Sequence, residues 1–184
     1  MPQLVALSLS IAVLGAIWAY LALGPLAGFV LVWAGFIAWG CFFHTGGDQK
    51  ALIKTICGNI YGIIVAWIAL LIIVKAGLGG NAIGAAIVVG VTVFFLVIIA
   101  GKVDQLSAVP ANVYGYAAPV AWSVSAPSAA GATPDVVGTG PLFSLTSPSF
   151  ANPLVILIVS MILGAIFGYV SGQLAGVLGK KAVA

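Results

Sequence analysis

The chain has 184 residues, of which 63% are hydrophobic and 5% are charged, and its formal net charge at pH 7 is +3. A water-soluble domain of this size cannot bury so much apolar surface, because its exterior would then have to be apolar as well. The composition therefore excludes an ordinary soluble enzyme and places the chain in a lipid bilayer. Each crossing segment is expected to be an α-helix, since a helix satisfies its own backbone polar groups.

Glycine, proline and charged residues divide the chain into six apolar stretches, each long enough to cross a bilayer. The predicted spans cover approximately residues 4–23, 26–43, 51–75, 82–100, 107–124 and 153–178. We therefore predict an all-α fold, a polytopic transmembrane helical bundle of six spans that forms a single integral membrane domain over residues 1–184.

A long connection over residues 125–151 joins the fifth and sixth spans inside this domain. It is rich in proline, serine and glycine, which favour irregular backbone. The predicted topology places it outside the cell, where Phe143, Leu145 and Phe150 could hold it on the bundle as a lid. The alternative is a solvated linker, because long loops in compact domains are either functional or disordered.

The lysines predict the orientation, because loops that carry lysine tend to stay on the cytoplasmic side of a membrane. With six spans, five lysines share one side with both termini: Lys50, Lys54, Lys102, Lys180 and Lys181. Lys75 falls on the opposite side. We therefore predict cytoplasmic N and C termini. The positive charge indicates topology and not nucleic-acid binding, since no basic patch accompanies it.

Weak sequence similarity between the two parts of the chain predicts two halves of three spans each. The third span carries Gly58-x-x-x-Gly62 and the sixth carries Gly164-x-x-x-Gly168. Because three is an odd number, the two halves would run through the membrane in opposite directions. Such 3+3 inverted repeats, with a central site between interrupted helices, are common among transporters.

Three short motifs follow one another along the chain: residues 33–36 (WAGF), 106–110 (LSAVP) and 164–169 (GAIFGY). In this order they resemble the YcdZ-like family of bacterial inner-membrane proteins, a domain-of-unknown-function family (DUF1097). The resemblance implies a small, multi-span protein of the bacterial inner membrane, and it provides no catalytic or substrate residues. The long connection at 125–151 departs from the family, in which a short connection is more typical.

The sequence offers little basis for catalysis, since it contains no glutamate, one histidine and two cysteines. Cys41 and His44 lie three residues apart near Asp48, but a catalytic metal site takes about three protein ligands and a structural site about four. We predict no metal site, no cofactor and no enzyme activity. The aspartates all fall in predicted loops, so no acidic group is placed inside the bundle for coupling to protons or sodium.

Uncharged polar residues at membrane depth form the first part of a candidate solute path. Asparagine is costly in lipid, so Asn59 and Asn112 should face protein or a water-filled lumen. Tyr114 and Tyr116 follow Asn112 in the fifth span. These groups either line a path or join the helices by hydrogen bonds.

The end of the second span supplies the second part of this path. Trp39, Phe42 and Phe43 form an aromatic stripe, and His44 and Thr45 follow it. As a hydrophobic constriction, the stripe would reject hydrated ions. An inverted repeat would set it against the polar part of the fifth span. The alternative is that the stripe serves packing or lipid contact.

Small residues on one helix face let two backbones approach closely. The candidates here are Gly58, Gly62, Gly164, Gly168, Gly172 and Gly176. They predict close packing within one protomer or between protomers. We expect a homo-oligomer, because the chain is small.

Together these features predict an inner-membrane channel or facilitator for a small uncharged solute, in the class of urea, short amides, ammonia and neutral weak acids. The alternative is a non-transporting scaffold or accessory subunit of a larger membrane complex. The expected partners are the lipid bilayer, further copies of the chain and a small-molecule solute, and not nucleic acid.

The predicted orientation can be tested with single cysteines at Ala130 and Ala184, in a parent chain whose Cys41 and Cys57 are replaced by serine. In intact cells, a membrane-impermeant maleimide should label Ala130→Cys. It should leave Ala184→Cys unlabelled until the membrane is permeabilised, because the lysine-rich side is cytoplasmic. Labelling of Ala184→Cys alone in intact cells would reverse the orientation.

Overall fold

The computed structural model of the chain describes residues 1–125 and 145–179. The α-helices in these ranges are α1 Gln3–Leu23, α2 Val32–His44, α3 Gln49–Lys75, α4 Ala82–Ala100, α5 Val109–Ser125 and α6 Pro153–Leu178. Short 3-10 turns at Leu78–Gly80 and Asp104–Leu106 precede α4 and α5. The all-α fold predicted from the sequence is confirmed. Most of the predicted 125–151 loop, and with it the choice between lid and linker, lies outside the described residues.

Side chains at the starts of α3, α4 and α6 determine where these helices begin. The capping residues are Asp48, Asn81 and Asn152, and each accepts a hydrogen bond from a backbone N–H of the first turn, at 2.7, 2.9 and 2.9 Å. These bonds satisfy donors that the helix itself leaves free. The predicted starts of α4 and α6, residues 82 and 153, agree with the observed ones.

The second predicted span, residues 26–43, is wrong at its N-terminal end. Residues 24–31 form turns, and α2 begins only at Val32, so that it is 13 residues long. Gly28 has a φ angle of +85° in these turns, a left-handed conformation that an α-helix excludes. At about 1.5 Å per residue, α2 is about 20 Å long, against a hydrocarbon core of about 30 Å.

Four of the described helices, α1, α3, α4 and α6, are long and apolar enough to cross a membrane. α2 is apolar but short. α5 has 17 residues, which include Asn112 and, inside the helix, Pro119. The helices therefore support a membrane protein, whereas six crossings require α2 and α5 to cross as well.

The two longest helices, α3 and α6, form the centre of the bundle together with the two shortest. α5 packs along α3, α2 packs along α6, and α3 and α6 also contact each other. α1 lies mainly against α6, and α4 lies mainly against α3. In α4 the buried residues are Leu96 and Ala100. The core is thus made by α2, α3, α5 and α6, with α1 and α4 at its edges.

The start of α1 and the end of α6 lie together at one end of the bundle. The Met1 amino group donates to the Leu178 carbonyl at 3.4 Å. Because successive helices run in opposite directions, Lys54 lies at this same end, whereas Lys75 closes α3 at the opposite end. The described lysines are therefore distributed between the two ends as the sequence predicts.

Glycines let the paired helices approach until backbone contacts backbone. A Cβ atom added at Gly62 would strike the backbone of α5, and one added at Gly115 would strike the backbone of α3 at Asn59. A Cβ atom at Gly164 would strike the backbone of Gly35 in α2. Such close approach is typical of small-residue motifs in membrane helices.

The other predicted packing glycines differ in how closely a neighbouring helix approaches them. A Cβ atom at Gly58 would lie 2.6 Å from the Cβ atom of Ala111, and one at Gly168 would lie 3.0 Å from ring atoms of α2. At Gly172 the nearest such contact is an ordinary 3.8 Å, and Gly176 has nothing within 4 Å. The tight part of the α6 surface is therefore the middle of the helix, around Gly164 and Gly168.

Gly62→Ala and Gly164→Ala should each destabilise the protein, because the added methyl group collides with backbone atoms of the neighbouring helix. These atoms are closely packed and cannot move without disturbing that helix. We expect a loss of about 1–3 kcal/mol in the free energy of unfolding, the usual range for overpacked sites. It should appear as a lower midpoint of thermal unfolding in detergent. Gly90→Ala in α4 is the matched control, since Gly90 has nothing within 4 Å and alanine favours a helix. Equal midpoints for all three variants would refute the tight crossings.

Candidate functional site

An open cavity of about 370 Å³ lies at the end of the bundle that carries Lys54. We call it the mouth cavity. The end of α2, the start of α3 and the start of α5 form its lining, which consists of His44, Thr45, Lys54, Ser107, Ala108, Val109 and Pro110. A neighbouring cavity of about 310 Å³ shares Lys54 and is lined also by Lys50, Ile53, Asp104 and Gln105.

The Lys54 side chain reaches from α3 to the start of α5. Its Nζ atom donates to the Ser107 hydroxyl at 2.8 Å and to the Asp104 carboxylate at 3.0 Å. The Lys54 side chain is 27% exposed and the Asp104 side chain is 82% exposed. Ion pairs that are this well solvated stabilise a protein only slightly. The ammonium group is therefore held at the mouth by a pair that separates easily.

His44 and Tyr114 connect the end of α2 with α5. His44 Nδ1 lies 3.3 Å from the Tyr114 hydroxyl oxygen, and the tautomer of the imidazole ring decides which atom donates. Thr45 belongs to the helix end itself, because its hydroxyl donates to the Cys41 carbonyl at 2.8 Å. The two segments that the sequence predicts to face each other thus meet at the mouth, through His44 and Tyr114.

The aromatic stripe of α2 packs against α6. Trp39 Nε1 donates to the Ser171 hydroxyl at 3.0 Å. The Phe42 ring is fully buried, with its centroid 6.1 Å from that of Tyr169 and 5.1 Å from that of Phe43. The rings lie here because the glycine-rich face of α6 leaves room for them. These contacts agree with the packing alternative, and a constriction between the second and fifth spans stays a prediction.

Tyr116 lies on the side of α5 that faces α4. Its hydroxyl oxygen is 2.8 Å from Thr92 Oγ1, which itself donates to the Val88 carbonyl at 2.8 Å. Tyr116 is 6% exposed. Because its hydroxyl group has a partner, Tyr116 links α5 to the edge helix α4.

Asn112 is fully buried, and only half of its amide group is paired. Nδ2 donates to the Leu106 carbonyl at 2.7 Å and to the Ala108 carbonyl at 3.3 Å, which holds the turn at the mouth cavity. Oδ1 has no hydrogen-bond partner among the described residues. It faces α3, where it would lie 3.1 Å from a Cβ atom at Gly58.

Asn59 and Thr55 are buried on α3, and Asn59 lies at the crossing with α5. Asn59 is 1% exposed, and neither its Oδ1 nor its Nδ2 has a partner in the described part of the chain. Thr55, one turn earlier, is fully buried, and its hydroxyl lies near the Cys41 thiol of α2 without a hydrogen bond of ordinary length to any described residue. Such a buried group costs about 1–3 kcal/mol, so native proteins pair nearly all of them. We call Thr55, Asn59 and Asn112 the unpaired cluster.

The unpaired cluster begins directly behind the mouth cavity. Thr55 follows the cavity residue Lys54 in α3, and Asn112 lies two residues after the cavity residue Pro110 in α5. Further along α5, Trp122 Nε1 and Ser123 Oγ are also buried and unpaired among residues 1–125 and 145–179. α3 and α5 thus carry a series of polar groups from the mouth into the bundle.

Sequence reasoning used Lys54 only for the topology, and it missed Thr55, Asp104 and Ser107. A lone threonine in an apolar helix gives no signal, because its hydroxyl usually bonds to its own helix. Asp104 and Ser107 come 50 and 53 residues after their partner Lys54. Within residues 1–125 and 145–179, no three His, Cys, Asp or Glu side chains come together as metal ligands would.

Comparison with known proteins bears on the family of the chain. Residues 8–176 match the family described as "Protein of unknown function (DUF1097)", whereas no curated protein and no solved structure matches. The match includes every residue of the mouth cavity and of the unpaired cluster. The resemblance noted from the sequence is confirmed, and the chain belongs to the DUF1097 family.

Proposed function

We propose that this protein is not an enzyme but a passive channel or facilitator that carries a small solute between the mouth cavity and the other side of the membrane. The observation that carries the proposal is the unpaired cluster at the α3–α5 crossing. Polar groups that are buried without a partner destabilise a fold. Their presence therefore favours a polar solute that forms hydrogen bonds with them while it crosses the membrane. Amide and hydroxyl groups can replace part of a solute's hydration shell, as the lining of selective pores does.

Six crossings, arranged as two inverted halves, suit this function. In α1–α3 and in α4–α6, the second helix is the shortest and the third is the longest. Each short helix packs along the long helix of the other half, α2 on α6 and α5 on α3. The glycine pairs Gly58, Gly62 and Gly164, Gly168 face these short helices. Inverted-repeat transporters place their solute sites beside such interrupted helices.

The segment before each short helix is bound by a side chain of the facing long helix. Before α2, the Leu31 backbone N–H donates to the Ser160 hydroxyl at 2.8 Å. Before α5, the Lys54 Nζ atom donates to the Ser107 side-chain hydroxyl at 2.8 Å. Lys54 and Ser160 each stand four residues before the first glycine of their G-x-x-x-G motif. Irregular backbone is tolerated at membrane depth where protein satisfies its polar groups. The segments before α2 and α5 would therefore complete the two crossings that the short helices do not span alone.

The unpaired cluster consists of amide and hydroxyl groups without a charge, which favours a solute that is uncharged while it crosses. Urea, short amides, ammonia and neutral weak acids belong to this class. The lysine distribution supports cytoplasmic termini, and we propose the bacterial inner membrane as the location. The mouth cavity would then open to the cytoplasm. Exposed apolar side chains of α4, such as Ile83 and Phe94, suit contact with lipid or with a further copy of the chain.

The substitution Asn59→Leu distinguishes a role of Asn59 in transport from a role in helix packing. Leucine has a similar size and needs no hydrogen bond, so the variant should be as stable as the parent or more stable. Solute flux should fall at least about fivefold, because a group that replaces solvating water is lost. Flux is measured by stopped-flow swelling of proteoliposomes over a panel of urea, acetamide, ammonia and acetic acid, and stability by thermal unfolding in detergent.

Ser10→Ala is the matched control, because Ser10 is also buried but its hydroxyl donates to the Ala6 carbonyl at 2.8 Å within α1. Its flux should equal that of the parent. Unchanged flux with a lower unfolding midpoint for Asn59→Leu would assign Asn59 to packing and overturn its role in the path. If parent proteoliposomes are no more permeable than empty liposomes to any of these solutes, the accessory-subunit alternative replaces the channel.

A further inference from the structure

We propose that the mouth cavity binds the carboxylate group of a small monovalent acid, and that Lys54 exchanges Asp104 for this carboxylate. The proposal narrows the solute class of the channel to weak acids, and it rests on the proposed function for its role in transport. Binding itself can be measured without any flux.

The lining of the mouth cavity favours an anion. Among the residues that the structure describes, the lining holds the Lys54 ammonium group, the His44 imidazole and the hydroxyl groups of Thr45 and Ser107, and no acidic side chain. Asp104 lines the neighbouring cavity and contacts Lys54 from there. The positive charge at the mouth is thus balanced from outside the cavity.

The contacts of Lys54 allow it to exchange the Asp104 carboxylate for the carboxylate of a ligand. Asp104 is 82% exposed and sits on the short turn Asp104–Leu106 before α5, so it returns to water at little cost. Ser107 accepts its hydrogen bond from Lys54, which leaves the hydroxyl proton of Ser107 free to donate. A carboxylate between Lys54 and Ser107 would receive two hydrogen bonds, one of them charge-assisted.

The α5 helix adds a favourable field. Ala108, Val109 and Pro110, at its start, line the same cavity, and the N-terminal end of a helix carries a partial positive charge. Inverted-repeat transporters direct such helix starts at the anionic groups of their substrates. At the other end of the bundle, the position equivalent to Lys54 holds the uncharged Ser160. The cation at the mouth cavity therefore has no counterpart at the equivalent position of α6.

The charge and the volume of the mouth cavity bear further on which ligand it binds. A single lysine compensates a single negative charge, which favours a monocarboxylate over a phosphate or a dicarboxylate. The cavity volume of about 370 Å³ leaves room for a short-chain acid together with water. The unpaired cluster behind Lys54 is uncharged, so it suits the neutral acid that is in protonation equilibrium with the bound anion in the water of the mouth.

The test measures binding of acetate, with acetamide as its uncharged counterpart, to the purified full chain in detergent by saturation-transfer NMR. Asp104→Asn removes the competing carboxylate and should tighten acetate binding about two- to fivefold. Lys54→Met should weaken it at least about tenfold, because a charge-assisted hydrogen bond is lost. Lys50→Met is the matched control, since Lys50 lines the neighbouring cavity and not the mouth, and it should leave acetate binding nearly unchanged. Acetamide binding should respond to none of these variants.

Equal acetate affinity in the parent, Asp104→Asn and Lys54→Met would overturn the proposal. So would an equal loss in Lys50→Met and Lys54→Met, which would indicate general surface charge. Added phosphatidylglycerol that occupies Lys54 while acetate does not bind would assign the site to a lipid headgroup instead. The Asp104→Asn result does not depend on whether Lys54→Met folds. Asn59→Leu should retain acetate binding whatever its flux, so a failed channel and a failed binding site are distinguishable.

Discussion

Two helix crossings at which backbone touches backbone determine the rest of the structure. Gly62 and Gly115 bring α3 and α5 together, and Gly35 and Gly164 bring α2 and α6 together. Helices in lipid have no hydrophobic force that drives them together, so van der Waals contact at such crossings supplies much of the attraction. Each long helix therefore holds a short one, and α1 and α4 are left to attach at the edges.

The α3–α5 crossing also creates the candidate site. Because glycine leaves so little space between the helices, the amide group of Asn59 and the Oδ1 atom of Asn112 are enclosed where no described side chain reaches them. One turn before Asn59, the same helix face carries Thr55, and Lys54 next to it reaches the start of α5. The packing contact, the unpaired cluster and the mouth cavity are thus consequences of one helix pair. The equivalent α2–α6 pair contains Ser160 and aromatic rings, and its polar side chains Trp39 and Ser171 bond to each other.

Local signals explain why much of the fold can be predicted from the sequence. The number of apolar stretches, the capping residues Asp48, Asn81 and Asn152, and the lysines near helix ends each act over a few residues. The start of α2 could not be predicted in this way. Residues 26–31 are apolar enough for a helix, but Gly28 adopts a left-handed conformation and the Leu31 N–H is bound by Ser160, 129 residues away.

By itself, the sequence determined the membrane environment, the all-α class, most helix boundaries and the family, because these follow from composition and from contacts between near neighbours in the chain. Only the tertiary structure decided which face of each helix is inside. In lipid both faces of a helix are apolar, so the periodicity that marks a core in water is weak. It was helix packing that turned Trp39 toward α6, paired Lys54 with Asp104 and left Asn59 unpaired. These outcomes depend on partners that are distant in the sequence, and local residue patterns contain no information about them.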